Sequence, residues 1–294
     1  MSSVRWGEDG RLHAHYLEFN IVAHCNFRCV YCSQYSPHNP KISADIHVFE
    51  RDIAALTEAY HADVFRFVGG EPTLHQQLVD FVRLVKKYEL ADTVAVCTNG
   101  SILHQMSDAF FQAIDRLDIS VYPKKLGKHG QNLELAEEKC RKHGTLIKLS
   151  HSAAIWGLNH IEQKNEDSDL VKRIYDSCMI THEWNCHTFY QGRYYKCSGI
   201  PFSVNYFKKM GVVPPDFLNL DGVPIHKRGN LANRLWPYIN DVNPLEACKY
   251  CLGTVGRGIE WRELEGKDEI EKPLETYGSV SNLLDPAWLA GEAD

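Results

Sequence analysis

The stretch HYLEFNIVAHCNFRCVYC, residues 15–32, decides how this chain is read. Its first half, His15 to Ala23, is rich in β-branched and aromatic residues and predicts a strand. Its second half places Cys25, Cys29 and Cys32 on the loop that this strand feeds. Outward from there, Ile46, Phe49, Ile53 and Leu56 recur at helical spacing, with Ser43 placed to cap them. Val64 to Val68 predicts a second strand, closed by Gly69-Gly70. The alternation continues: an amphipathic helix carrying Leu78, Phe81, Val82 and Val85, then a strand over Thr93 to Thr98 ended by Asn99-Gly100. A helix capped by Ser107 and facing Phe111, Ile114 and Leu117 inward precedes a strand from Asp118 to Tyr122 stopped by Pro123. A helix ending near Gly144 and a strand from Thr145 to Ser150 complete the series. Such alternation implies a parallel sheet with right-handed crossovers, as an open sheet or a full or partial barrel. Chemistry in these sheets gathers at the carboxyl ends of strands. The Cys25 loop, the Gly69–Pro72 turn, Asn99-Gly100 and Ser120 to Tyr122 all fall at such ends, and are expected to converge on one mouth.

After about residue 180 the pattern changes. His187 to Tyr190 and Arg193 to Cys197, joined by Gln191-Gly192, predict a hairpin. Length and pattern suggest a main unit over 1–180, a small subdomain over 181–263 and a peripheral tail over 264–294. With 44% hydrophobic and 24% charged residues, the 294-residue chain has the composition of a globular enzyme. No segment approaches the roughly 20 apolar residues of a membrane helix. The start, MSSVRWGEDG, lacks the features of a secretory signal, so the expected location is cytoplasmic. A net charge of −6 offers no basic footprint for nucleic acid.

Ten cysteines without an export signal shift the expectation from disulfides toward metal ligation. Cys25, Cys29 and Cys32 can close around one cubic iron-sulfur cluster, leaving an open iron, or can form a zinc knot. In Gly69-Gly70-Glu71-Pro72 the glycines permit close approach to the backbone, and Glu71 is an acceptor suited to an ammonium group. Cys186 and Cys197, at opposite ends of the hairpin, join Cys248 and Cys251 as a four-thiol site for iron-sulfur or zinc. Cys178 is then spare, either a small buried hydrophobe or a thiol able to return a hydrogen atom to a carbon radical. Cys97 and Cys140 read as core, and His24 and His75 flank the two motifs.

Together, Cys25-x3-Cys29-x2-Cys32 after the first strand and Gly69-Gly70-Glu71-Pro72 after the second resemble the radical S-adenosylmethionine (SAM) superfamily, over residues 16 to about 150. The resemblance implies an α/β partial (β/α)6 TIM-like barrel. Cys25, Cys29 and Cys32 would hold a [4Fe-4S] cluster whose open iron takes the amino and carboxylate groups of SAM. Gly69, Gly70 and Glu71 would hold the methionine ammonium, Tyr31 would lie against adenine, and Asn99 and Ser120 would reach the carboxylate or ribose. The implied chemistry is reductive cleavage of SAM to a deoxyadenosyl radical that takes a hydrogen atom from substrate, fed by an electron donor such as flavodoxin or ferredoxin. The second cysteine group resembles a Twitch subdomain, a shortened SPASM extension with an auxiliary [4Fe-4S] cluster on a hairpin and helix. Similar enzymes act on carbohydrates and aminocyclitols, which implies a small polar substrate undergoing dehydrogenation or epimerisation. The alternatives are a radical maturase of ribosomal peptides and a non-enzymatic zinc-binding interaction protein.

Overall fold

Side chains alternate between two faces of a strand, and here the two faces have opposite chemistry. A computed structural model describes residues 4–122, 126–151, 155–213, 216–266 and 269–291. The first elements are β1 (Arg5–Trp6), β2 (Leu12–Val22), α1 (Ile46–Leu56), β3 (Tyr60–Gly69), α2 (Leu78–Lys87) and β4 (Ala91–Thr98). They are followed by α3 (Asp108–Ala113), β5 (Arg116–Ser120), α4 (Leu126–His143) and β6 (Leu146–Ser150). Strands β2 to β6 pair parallel in chain order. Leu17, Phe19, Phe65, Phe67, Val94, Val96, Leu117 and Ile119 share one core with Phe49 and Ile53 of α1, Phe81 and Val85 of α2, and Phe110 and Phe111 of α3. Each such buried side chain stabilises the fold by about 1.5–3 kcal/mol. The alternate positions, among them Tyr16, Glu18, Asn20, Arg66, Cys97, Asp118 and Lys148, turn a polar face to the barrel interior.

Local chemistry moves several predicted boundaries. The cap of α1 is Asp45, whose carboxylate accepts from the His47 and Val48 amides at 2.8 and 3.0 Å, in place of Ser43. Ser107 stands at the start of α3 without a side-chain cap bond. Leu117 lies on β5 and not on the preceding helix, because Asp115 already joins Val94 of β4 through its amide and its carboxylate. Pro123, the expected strand stop, lies outside the described residues.

Beyond β6 come β7 (Ile155–Gly157), α5 (Ser168–Asp176), α6 (Met179–His182), β8 (His187–Tyr190) and β9 (Arg193–Tyr195). The predicted hairpin forms, with Gln191 and Gly192 both at positive φ in its two-residue turn. It is continuous with the barrel sheet: β8 pairs parallel with β2, Leu17 opposite His187. With β10 (Val223–Pro224) the order is β10-β9-β8-β2-β3-β4-β5-β6. The α/β class holds, but the sixth parallel strand is β8 beside β2, in place of a sixth repeat following β6.

The segment from residue 264, expected to be peripheral, is packed into the molecule. Leu264, Leu283 and Leu284 are buried with Val30, Tyr31, Leu158, Ile161, Ile174 and Leu252, and Leu274, Tyr277 and Trp288 pack against them. Strand β11 (Gly258–Glu260) pairs antiparallel with β7. Charged residues give this stretch its surface character in sequence, while its leucines close over the back of the first cysteine loop. Among the described residues, no helix is long and apolar enough to cross a membrane.

Candidate active site

Cys25, Cys29 and Cys32 come together at the carboxyl end of β2, in one buried group with Phe27, Tyr122 and Trp261. Two residues of the loop, Tyr31 and Tyr35, adopt left-handed backbone conformations at φ 54° and 53°, folding it back on itself. The Phe27 amide donates to the Cys25 sulfur at 3.3 Å. Burial pushes the Cys25 thiol up to about 12, with Glu71 and Cys32 adding to the rise. Burial, and then Cys32 and Cys25, likewise raises Cys29, and Cys32 is raised by burial. Thiols in one another's field ionise when a cation neutralises them, so this donor set fits a thiolate-bound metal group. Among the described residues no three His, Cys, Asp or Glu side chains converge on a single-ion site.

The Gly69-Gly70-Glu71 turn supports this loop from below. A Cβ on Gly70 would lie 1.7 Å from the His24 carbonyl oxygen, so glycine there lets the end of β3 lie against the backbone that enters Cys25. The Gly70 and Glu71 amides donate to Val22 and His24 carbonyls at 2.8 and 3.1 Å. Glu71, expected to help hold the methionine ammonium, is fully buried. Its carboxylate accepts from the Thr73 amide and hydroxyl, the Thr98 hydroxyl and the Asn99 amide, at 3.1, 2.5, 2.6 and 2.7 Å. What this turn offers a ligand is backbone. Asn99 does reach the cysteine loop, donating through Nδ2 to Asn26 Oδ1 at 2.8 Å and towards Cys25 Sγ at 3.5 Å. Ser120 ends β5 in register with Ser150.

Tyr31, expected against adenine, packs on the C-terminal side of the loop. It is buried in the cluster formed with the C-terminal segment, its ring 5.7 Å from that of His160. Its amide donates to Glu271 at 2.8 Å and its carbonyl accepts from Asn159. The aromatic wall of the thiols is instead Phe27, Tyr122 and Trp261. Trp261 carries no signal in sequence, since its approach to Cys29 depends on pairing across more than 200 residues. His75 holds its own turn, bonded to the Ala44 carbonyl and the Gln77 amide.

A cavity of about 600 Å³ opens between the inner face of the barrel and the second cysteine group. Tyr16, Glu18, Arg66, Lys148 and Ser150 line it from the strands, and Cys178, Cys186, Cys197, Cys248 and Cys251 from the opposite side. Arg66 pairs with buried Glu18, lies 4.1 Å over the Tyr16 ring and donates to the Cys186 sulfur at 3.3 Å. Cys97, expected in the core, faces the interior instead, its thiol directed at Asp118 at 3.8 Å.

All five thiols of the second group, Cys178 included, line this one cavity. Cys178 shares the electrostatic surroundings of Cys197, Cys248 and Cys251, and its Cβ packs against Gly253. Cys251 bonds the Asn159 carbonyl at 3.0 Å and accepts from the Gly253 amide at 3.2 Å. Cys186 lies near Cys197 across the hairpin, but burial and Glu18 dominate its surroundings and Arg66 holds its sulfur. Cys178, Cys197, Cys248 and Cys251 thus lie in one another's field, and Cys186 lies against Glu18 and Arg66. Beside them, buried Lys196 donates to the Tyr175 hydroxyl at 2.7 Å and the Asp241 carbonyl at 3.0 Å, and burial lowers its pKa.

Residues 19–122 match the family model of the radical SAM superfamily. A GTP 3',8-cyclase of Lactiplantibacillus plantarum is 34% identical over 166 residues, 55% of this chain and 47% of that protein. Another, from Microcystis aeruginosa, is 26% identical over 129 residues, 40% of this chain and 39% of the relative. The chain thus spans less than half the length of these curated relatives. Among solved structures, BtrN in complex with AdoMet and 2-DOIA superposes with a TM-score of 0.43 at 17% identity, covering 77% of this chain and 82% of that one. The AdoMet-bound anSMEcpe gives 0.37 at 20% identity, covering 47% and 43%.

Proposed function

We propose, from the premise that this chain belongs to the radical SAM superfamily through residues 19–122, that it takes a hydrogen atom from a C–H bond of a small polyhydroxylated substrate. The substrate class is carbohydrate or aminocyclitol, and the outcome is dehydrogenation or epimerisation. The observation that carries this reading is the single cavity shared by the polar barrel face and the second thiol group.

Cys25, Cys29 and Cys32 would hold the [4Fe-4S] cluster of the family, and the mouth of the barrel its SAM. When bound, these groups supply one-electron cleavage of the sulfonium and a primary carbon radical able to remove a hydrogen atom. The remaining work belongs to the chain. Asn99 and Asn26 fix the first turn of the cysteine loop. Phe27, Tyr122 and Trp261 keep water from the thiols. Glu18 and Arg66, held against each other on the cavity wall, offer an acceptor and donors to substrate hydroxyl or amino groups. Cys178, Cys197, Cys248 and Cys251 would supply the four thiols of an auxiliary [4Fe-4S] cluster, a group that when bound supplies one-electron chemistry beside the cavity.

The names of the GTP 3',8-cyclase relatives support a second reading, a nucleotide substrate. Charge favours the first. The cations among the described lining residues are Arg66, already paired with Glu18, and Lys148, too few for a triphosphate.

The test is anaerobic turnover in D₂O of aminocyclitols, amino sugars and GTP, followed by mass spectrometry. Loss of two mass units from a polyhydroxylated compound indicates oxidation, and gain of one deuterium indicates epimerisation. Turnover of GTP alone would overturn the substrate assignment.

A further inference from the structure

Residues 258–264, at the junction of the expected small subdomain and the expected tail, run along the first cysteine loop. Cys29 and Glu263 form an antiparallel bridge. The Val30 amide donates to the Arg262 carbonyl at 3.0 Å, and the Leu264 amide to the Arg28 carbonyl at 2.8 Å. The Glu263 carboxylate accepts from the Arg28 amide at 3.2 Å. This pairing seats Trp261 among the three thiols, 96% buried, with its rings 5.0 Å from Tyr122 and 6.3 Å from Phe27.

The Trp261 indole N–H is buried and meets no oxygen or nitrogen acceptor among the described residues. A buried N–H without a partner is costly, and such donors are met in most native structures. The Trp261 ring packs in the same group as Cys29, with Cys25 and Cys32 against it.

A second anchor lies ten residues on. Glu271 is 5% exposed. Its carboxylate accepts from the Tyr31 amide at 2.8 Å and pairs with buried His38 at 2.5 Å. Its carbonyl accepts from the Tyr206 hydroxyl at 2.8 Å. Glu271 therefore ties the last turn of the cysteine loop, at Tyr31, to the turn at His38 that follows it.

We infer that residues 258–264 and Glu271 complete the first cysteine site, with the unpartnered indole N–H of Trp261 offered to the sulfurs held there and Glu271 holding the loop closed. Both are positioning residues. The inference rests on the reading that Cys25, Cys29 and Cys32 hold an iron-sulfur cluster. Hydrogen bonds to cluster sulfurs stabilise the more negative, reduced state and raise the reduction potential. Trp261→Phe keeps the ring and removes the donor. Glu271→Gln keeps the shape, removes the charge and weakens two charge-assisted bonds.

The experiment is an EPR-monitored redox titration of anaerobically reconstituted wild type and Trp261→Phe, following the signal that changes on addition of SAM. Wild type and Glu271→Gln are also compared for iron release to bathophenanthroline, with thermal unfolding as a check on the fold. The expected results are a more negative potential in Trp261→Phe and iron release about tenfold faster in Glu271→Gln, a factor corresponding to about 1.4 kcal/mol. An unchanged potential together with wild-type iron release would overturn the inference. If Glu271→Gln does not fold, the Trp261→Phe potential decides alone. Failure of the underlying reading looks different, since wild type itself would then hold no iron at Cys25, Cys29 and Cys32.

Discussion

Arg66 Nη2 donates to the Cys186 sulfur at 3.3 Å, and the same guanidinium pairs with Glu18. That contact ties Cys186 to the barrel wall, whereas Cys178 faces Cys197, Cys248 and Cys251. Cys178→Ala is expected to lose the second cluster, leaving about four irons of about eight, while Cys186→Ala retains them. Iron and sulfide analysis of the two reconstituted variants decides this. Loss of iron from Cys186→Ala, with Cys178→Ala fully loaded, would restore the ligand set expected from hairpin spacing.

Glu71 acts through the protein frame. Its carboxylate gathers Thr73, Thr98 and Asn99 without exposure to solvent. Glu71→Ala strands those donors and is expected to lower the stability of the cluster-free protein by about 3 kcal/mol, read by urea denaturation. An unchanged midpoint would show that the carboxylate holds nothing in place.

Asn99→Ala removes the tie to Asn26 and Cys25. It is expected to cost only about 1 kcal/mol of stability while lowering both iron loading at the first site and deoxyadenosine formation. Normal loading and normal formation together would leave Asn99 with no role at the loop.

Acid should weaken the hairpin end of the sheet. His187 is fully buried, with the Tyr60 and Tyr194 hydroxyls on its Nδ1. Burial first, and then the Lys196 charge, lowers it to about 3. Its unfolded value is about 6.5. Between these limits the unfolded chain binds the extra proton, so stability rises with pH and is lost as pH falls below about 6.5. This one group contributes a slope of about 1.4 kcal/mol per pH unit in that window. Denaturation midpoints of His187→Gln should change less steeply between pH 6.5 and 4 than those of wild type. Equal slopes would refute the assignment.

The strands β2 to β6 were legible because each is a short apolar run between helices with an apolar stripe, and β2, β3 and β4 end at the cysteine loop, Gly69-Gly70 and Asn99-Gly100. Pairing between distant segments was not. Nothing local to His187 announces that it pairs with Leu17, and nothing near Trp261 announces Cys29. Motif and strand-end position brought the three cysteines and Asn99 to one place, where the structure has them meet. The packing of Tyr31 with the C-terminal leucines was not legible, because it depends on a left-handed backbone and on distant residues. Hairpin register gives the proximity of Cys186 to Cys197 but not the hold of Arg66 on its sulfur, which comes from a distant strand. Glu71 looked available as a ligand because its four internal donors come from turns that only the folded sheet brings together.

The most direct measurement is anaerobic quantification of iron, sulfide, zinc and deoxyadenosine in reconstituted wild type and in the triple Cys25→Ala, Cys29→Ala, Cys32→Ala variant, with dithionite and SAM. The expected result is about eight irons in wild type and about four in the variant, with deoxyadenosine formed by wild type alone. Fully loaded wild type that forms no deoxyadenosine, or a triple variant that still forms it, would contradict the assignment of SAM cleavage to the first cysteine group.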